Sequence, residues 1–118
     1  MKLNLVNIAY LESVAGGDNE IIREIVEIFK SQVPEFISEM KDLLDKKDYH
    51  ELGLLAHKAK SSIAIMGMED LAIMLKDFEL NAREGINQVK YPIYISRFEN
   101  DTASAIIELD YFLSNFKK

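Results

Sequence analysis

The segment ELGLLAHKAKSSIAIMGM, residues 51–68, carries the clearest helical pattern of the chain. At about 100° per residue, its apolar side chains fall into one stripe along a helix. The stripe consists of Leu52, Leu55, Ala56, Ala59, Ile63 and Met66. His57 projects from the opposite side, and Lys60 and Ser61 follow it one turn later. The pattern therefore predicts a helix that packs through one face and presents a histidine on the other.

Residues just outside this segment predict where the central helix begins and ends. Asp48 is a favourable N-cap, so we expect the helix to start near Tyr49. Asp18 is placed to cap the helix before it in the same way. At the far end, Gly67 either closes the central helix or lets another backbone come near. The sequence alone does not choose between these two roles.

Helical periodicity also covers the rest of the chain. Apolar residues recur at helical spacing over residues 4–15, 18–46, 68–84 and 92–116. Pro34 interrupts the second range, which favours one kinked helix or two abutting helices. Residues 86–90 are expected to form a loop, and no strand alternation competes with the helical period. The predicted fold is all-α, an up-and-down four-helix bundle with a short additional N-terminal helix.

Composition narrows the class of protein. The chain has 118 residues, 48% hydrophobic and 29% charged, which fits one globular domain over residues 1–118. A formal net charge of −6 argues against nucleic acid and anionic membranes as partners. The lack of cysteine excludes disulfides and a cysteine nucleophile. No apolar run is long enough to span a membrane. We expect a cytoplasmic protein, and a monomer because one bundle can bury its own stripes.

The surroundings of His57 suit contact with another protein. Gly53, Leu54 and Ala64 lie within about 60° of it on the helical wheel. These residues are small or apolar, whereas a typical solvated face carries Glu, Lys and Gln. We therefore predict a partner-docking face formed by Gly53, Leu54, Lys58 and Ala64.

The same face favours chemistry on phosphorus. A neutral imidazole is a good nucleophile near neutral pH, and phosphoryl transfer depends mainly on positioning and charge stabilisation. Lys60 can place an ammonium group near phosphoryl oxygens, and Ser61 can donate a hydrogen bond. From spacing alone, a surface histidine with a chance lysine three residues later remains the alternative. The second histidine, His50, is expected to be an ordinary surface residue.

The run AHKAKSS over residues 56–62, followed by Gly67, resembles the histidine-containing phosphotransfer (HPt) domain family. The similarity continues in the next predicted helix, which reads LAIMLKDFE over residues 71–79. The resemblance implies a helical bundle in which His57 is the phosphoacceptor, Lys60 the stabilising lysine and Gly67 a structural glycine near the helix end.

The resemblance also directs attention to the next helix and to two departures from the family pattern. Members often place polar side chains of that helix beside the imidazole, and Glu79 and Arg83 are the candidates. Ser61 stands where glycine is usual, and its small size keeps access to His57 open. Ala59 replaces a commoner leucine, which affects packing more than chemistry.

The function implied by the resemblance is that of a phosphorelay intermediate in two-component signal transduction. His57 would accept a phosphoryl group from the aspartyl phosphate of a receiver (response regulator) domain and pass it to another receiver. Receiver domains and hybrid sensor kinases are thus the expected partners, and the receiver would supply Mg²⁺. Because the sequence has no glycine-rich phosphate loop, we expect a carrier that is not a kinase. Two histidines without an E-x-x-H pair predict no metal or cofactor of its own.

A second function stays open at this point. A phosphorylation-independent helical module could use the same face to bind a receiver or another signalling protein. The start at Met1 and the length of one bundle favour a free-standing protein over a domain of a larger kinase.

Overall fold

The computed structural model describes residues 5–115, and in that range it contains helices and no strand. The helices are α1 (Ile8–Val14), α2 (Asn19–Asp45), α3 (Tyr49–Ile65), α4 (Glu69–Glu84) and α5 (Tyr91–Ser114). A short 3₁₀ helix, Gln88–Lys90, precedes α5, so the predicted loop over residues 86–90 is partly helical. Asn4 and Phe116, at the outer ends of the predicted first and last helices, lie outside the described residues.

The arrangement confirms the predicted four-helix bundle with a short N-terminal helix. α2 packs against α3 and α5, α4 packs against the same two helices, and α1 contacts α3. The bundle measures 49 × 22 × 20 Å along its principal axes. Across residues 5–115, none of the helices has the length and apolar character needed to cross a membrane.

Local sequence signals place the helix ends as predicted. The Asp18 carboxylate accepts a hydrogen bond from the backbone N–H of Glu20 at 2.8 Å and begins α2. Asp48 accepts from the N–H of Glu51 at 3.4 Å and begins α3. Pro34 lies inside α2, which continues as one helix from Asn19 to Asp45. The structure thereby selects the single-helix alternative for residues 18–46.

The predicted apolar stripe of α3 lies in the core. Leu52, Ala56 and Ala59 are fully buried, and Ile63 and Met66 are nearly so. Aromatic side chains from the other long helices are buried in the same core, among them Phe29, Phe78, Tyr91 and Phe98. Because α3 uses this face for packing, the residues on its other side are left to form a surface.

Gly67 performs both of the roles that the sequence allowed. Its φ of +70° is in the left-handed region, where glycine ends a helix without steric cost. A Cβ on Gly67 would also lie 2.5 Å from Cβ of Asn7, because the N-terminal segment crosses here. The backbone N–H of Asn7 donates to Met66 O at 3.0 Å. The helix end and the crossing of a second backbone therefore coincide.

A buried carboxylate holds the chain before α1, a contact that the sequence analysis did not predict. Glu108 of α5 is 5% exposed. Its oxygens accept hydrogen bonds from the backbone N–H groups of Leu5 and Val6, each at 3.1 Å. These bonds satisfy the buried charge and attach the N-terminal segment to the last helix.

Polar side chains also join α4 to α5. The Asn81 amide donates to the Tyr94 hydroxyl at 2.9 Å, and that hydroxyl donates a short hydrogen bond to Asp77. The Tyr91 hydroxyl lies 2.9 Å from Asn81 O and 2.6 Å from Ile86 O. Burial, together with the bond to Asp77, raises the pKa of Tyr94 to about 12. This network fixes the turn between the two helices.

Candidate functional site

His57 lies on the outer face of α3, as the position of the apolar stripe predicted. Its side chain is 57% exposed, whereas Ala56 and Ala59 beside it in the sequence are fully buried. A reactive side chain at this position is open to a partner molecule without any opening of the bundle.

The imidazole ring is held from one side by α4. Nδ1 of His57 lies 3.1 Å from Oε1 of Glu79, whose side chain is only 8% exposed. A carboxylate can only accept, so Nδ1 is the nitrogen that carries the proton in this contact. In residues 5–115 no hydrogen bond engages Nε2, and in a neutral ring its lone pair is free.

Arg83 completes this arrangement one turn further along α4. Its Nη1 donates to Oε2 of Glu79 at 3.1 Å, and its side chain is 44% exposed. Each oxygen of the Glu79 carboxylate thus has a partner, which is what allows the charge to be nearly buried. Of the two predicted residues of α4, Glu79 contacts the imidazole directly, whereas Arg83 contacts Glu79.

The remaining predicted residues of α3 divide into two groups. Lys60, half-buried, and Ser61, exposed, lie on the turn after His57, and Lys60 forms no ion pair with any described residue. Gly67 lies ten residues from His57, about 15 Å along the helix axis, and does not contribute to the immediate surroundings of the ring.

The predicted docking face needs one correction. Leu54 is partly exposed, and Lys58 and Ala64 are exposed, as expected of a docking face. Gly53, however, is buried against α4, where a Cβ would lie 2.7 Å from Cγ of Arg83. Gly53 does lie on the His57 side of the helical wheel, but α4 covers that side of α3 at this level. Gly53 is therefore a packing residue and not part of the exposed face.

One contact near the site was not predicted at all. The Ser62 hydroxyl donates to the side-chain oxygen of Gln32 on α2 at 2.9 Å. This bond ties α3 to α2. Gln32 lies thirty residues earlier in the chain, beside apolar residues of α2 such as Ile28 and Phe29, and no local sequence pattern predicts its contact with Ser62.

The electrostatic surroundings of His57 differ from those of the whole chain. Arg83 and Glu79 form an ion pair, whereas Lys58 and Lys60 of α3 form none with any described residue. Lys58 lines a groove with Glu39 and Glu51, and Lys60 lies one turn after His57. An acidic protein thus presents a local cation beside its exposed imidazole, an arrangement that suits an anionic group.

Comparison with known proteins agrees with this geometry. The family model described as Hpt domain matches residues 24–92, a range that contains all the residues around the ring. The fold is similar to that of histidine-containing phosphotransfer protein B from Pseudomonas aeruginosa PAO1. That crystal structure aligns with a TM-score of 0.87 and 21% identity over 97% of this chain and 98% of the other. No curated protein sequence matches the chain.

Proposed function

The chain belongs to the Hpt domain family, whose members act in histidine phosphotransfer within two-component phosphorelays, and we propose that His57 is its phosphoacceptor. One observation carries this assignment above all. His57 is exposed on α3 while its Nδ1 is hydrogen-bonded to the nearly buried Glu79. The ring is therefore held in one orientation with Nε2 directed to the surface.

The hydrogen bond to Glu79 selects the nucleophilic atom. With the proton on Nδ1, the lone pair of the neutral ring is on Nε2. Nε2 attacks the phosphorus of a receiver's aspartyl phosphate, an N–P bond forms, and the P–O bond breaks with its electron pair on the aspartate carboxylate. The Nδ1 proton stays in place, so the phosphorylated ring is cationic. The Glu79 carboxylate faces that new charge and stabilises it.

Lys60 and Ser61 supply the rest of the local chemistry in this proposal. The Lys60 ammonium group, one turn after His57, stabilises the negative charge on the phosphoryl oxygens during the transfer. The Ser61 hydroxyl, exposed beside it, donates a hydrogen bond. A side chain of this small size at position 61 leaves room for the phosphoryl group to approach Nε2.

Partners follow from the chemistry of the donor and the acceptor. Hpt domains exchange phosphoryl groups with receiver domains and kinases. We propose that receiver domains, alone or within a hybrid sensor kinase, dock on the face that carries Leu54, Lys58 and Ala64. The Mg²⁺ ion that the transfer requires belongs to the receiver, and this chain acts as a phosphoryl carrier without an ATP site of its own.

Phosphoryl transfer from a phosphorylated receiver tests the proposal. Incubation with radiolabelled cognate receiver should label the chain, and the label should be stable in base and lost in acid, as a phosphohistidine is. His57→Gln should abolish labelling with little loss of stability, because the side chain is exposed. Labelling that persists in His57→Gln would rule out the assignment.

Two further variants test the role of Lys60 in the same experiment. Lys60→Ala should slow labelling roughly tenfold, the effect of losing one charge-assisted hydrogen bond in the transition state. Lys46→Ala removes an exposed lysine, paired with Asp42 at the end of α2, and should label at the wild-type rate. If receivers bind the chain but none labels it, the phosphorylation-independent binding module becomes the better assignment.

A further inference from the structure

The helices α3 and α4 approach closely where Arg83 crosses Gly53. A Cβ added to Gly53 would lie 2.7 Å from Cγ of Arg83, 2.9 Å from its backbone nitrogen and 3.0 Å from the carbonyl oxygen of Glu79. Two of these three atoms belong to the backbone of α4. The absence of a side chain at position 53 therefore sets how near the backbone around Glu79 and Arg83 can come to α3.

Gly53 lies four residues before His57, one turn along the same helix. The close approach of α4 that Gly53 permits therefore also sets the distance between Glu79 and the His57 ring. The distance from Nδ1 to Oε1 is 3.1 Å, near the limit of a well-formed hydrogen bond. An outward shift of α4 by a few tenths of an ångström at this level would lengthen and weaken this hydrogen bond.

Arg83 acts on the same carboxylate from its other side. Its Nη1 holds Oε2 of Glu79 at 3.1 Å while the stem of its side chain lies over Gly53. A carboxylate with one fixed oxygen cannot rotate freely, so its second oxygen stays directed at His57. Arg83 thus constrains the ring without touching it in this structure.

On this basis we propose that Arg83, packed against Gly53, is a positioning residue of the phosphotransfer site that acts through Glu79. Its effect is to keep the His57 proton on Nδ1 and the lone pair on Nε2. The inference rests on the proposed role of His57, and it adds the reason why that ring presents one particular nitrogen. Arg83 itself forms no bond to the phosphoryl group in this proposal.

Nuclear magnetic resonance of the histidine rings tests this directly. Nitrogen-15 correlation spectra report which ring nitrogen carries the proton, and His50, exposed on the first turn of α3, gives an internal control in the same spectrum. In Arg83→Gln the ratio of Nδ1–H to Nε2–H tautomer at His57 should fall roughly fivefold, the effect of weakening one hydrogen bond. Arg83→Lys, which keeps the charge without the planar fork, should recover part of the difference.

Arg97→Gln is the matched control. It removes another i, i+4 arginine–carboxylate pair, Arg97 with Asp101 at 3.3 Å on α5. This variant should leave the His57 tautomer ratio unchanged. An equal change in both arginine variants, or a change at His50, would show a general effect of charge and overturn the proposal. An unchanged His57 ratio in Arg83→Gln would overturn it as well.

Gly53→Ala tests whether the close packing of Arg83 against Gly53 matters for the ring. The added methyl group should push α4 outward and shift the His57 tautomer ratio in the same direction as Arg83→Gln. A folded Gly53→Ala protein with the wild-type ratio would contradict this part of the inference. If that variant does not fold, the Arg83 variants still decide, because the Arg83 side chain is half exposed and its replacement leaves the core intact.

Reaction with phosphoramidate, which phosphorylates imidazole without a receiver, connects the ring state to reactivity. The rate at His57 should fall with the Nδ1–H tautomer fraction across the variants. A slower reaction in Arg83→Gln with an unchanged tautomer ratio would show that Arg83 contacts the phosphoryl group and does not position the ring. The spectra need no phosphotransfer, so they remain decisive even if no receiver labels the chain.

Discussion

Replacement of Gly67 with alanine should destabilise the bundle far more than the same change at another left-handed glycine. A φ of +70° costs an alanine roughly 1 kcal/mol or slightly more. The new Cβ would lie 2.5 Å from Cβ of Asn7, which must then move by about 1 Å to restore an ordinary contact. That movement weakens the bond from Asn7 N–H to Met66 O and the cap that Asn7 provides to α1. Each is worth about 1 kcal/mol, so the expected loss is about 3 kcal/mol.

Gly85→Ala provides the control for this prediction. Gly85 has a φ of +67° but no atom within 4 Å of an added Cβ, so its replacement should cost only about 1 kcal/mol. Urea unfolding followed by circular dichroism gives both free energies, provided that the denaturant dependence of the two variants is the same. Equal losses in Gly67→Ala and Gly85→Ala would show that the crossing of the N-terminal segment contributes nothing, and would refute the reasoning.

Two further predictions concern buried polar groups. The pKa of Tyr94 is raised to about 12, above the value of about 10 in an unfolded chain. The free energy of unfolding should therefore fall by up to about 3 kcal/mol as pH rises between these values. Urea unfolding across this pH range should show a smaller fall in Tyr94→Phe, and an equal pH dependence in the two proteins would contradict the prediction. Glu108→Gln should lower the free energy of unfolding by about 1–3 kcal/mol and accelerate amide exchange at Leu5 and Val6. The half-exposed Glu99, replaced in the same way, should change stability by less than about 0.5 kcal/mol.

Much of the fold follows from local sequence signals. Helical period and N-caps such as Asp18 and Asp48 place the long helices, because both depend on residues within a turn or two of each other. The apolar stripe of α3 also establishes that His57 points away from the core. The relation of His57 to Lys60 is equally local, since both lie on one helix. These features need no knowledge of how the helices pack.

Features that depend on helix packing could not be derived in this way. Gly53 looked like part of an open face because the helical wheel carries no information on which neighbour covers it. Gln32 and Glu108 contact residues that are thirty and about a hundred positions away in the chain. Glu79 and Arg83 were identified only through resemblance to a family, since nothing in their own helix reveals that α4 meets α3 at His57. The local sequence thus predicts His57 and Lys60, whereas the contribution of Glu79 and Arg83 depends on how α4 packs against α3.

The placement of the site has a consequence for how the protein folds. His57 and Glu79 are separated by only 22 residues, on two consecutive helices joined by the short turn over residues 66–68. The site is therefore contained in one helical hairpin with a small loop-closure entropy and a low contact order. Such a unit can form early and open late, whereas α1 depends on contacts with distant parts of the chain. Partial unfolding that begins at the N-terminal segment would therefore leave the bond between the imidazole and its carboxylate intact.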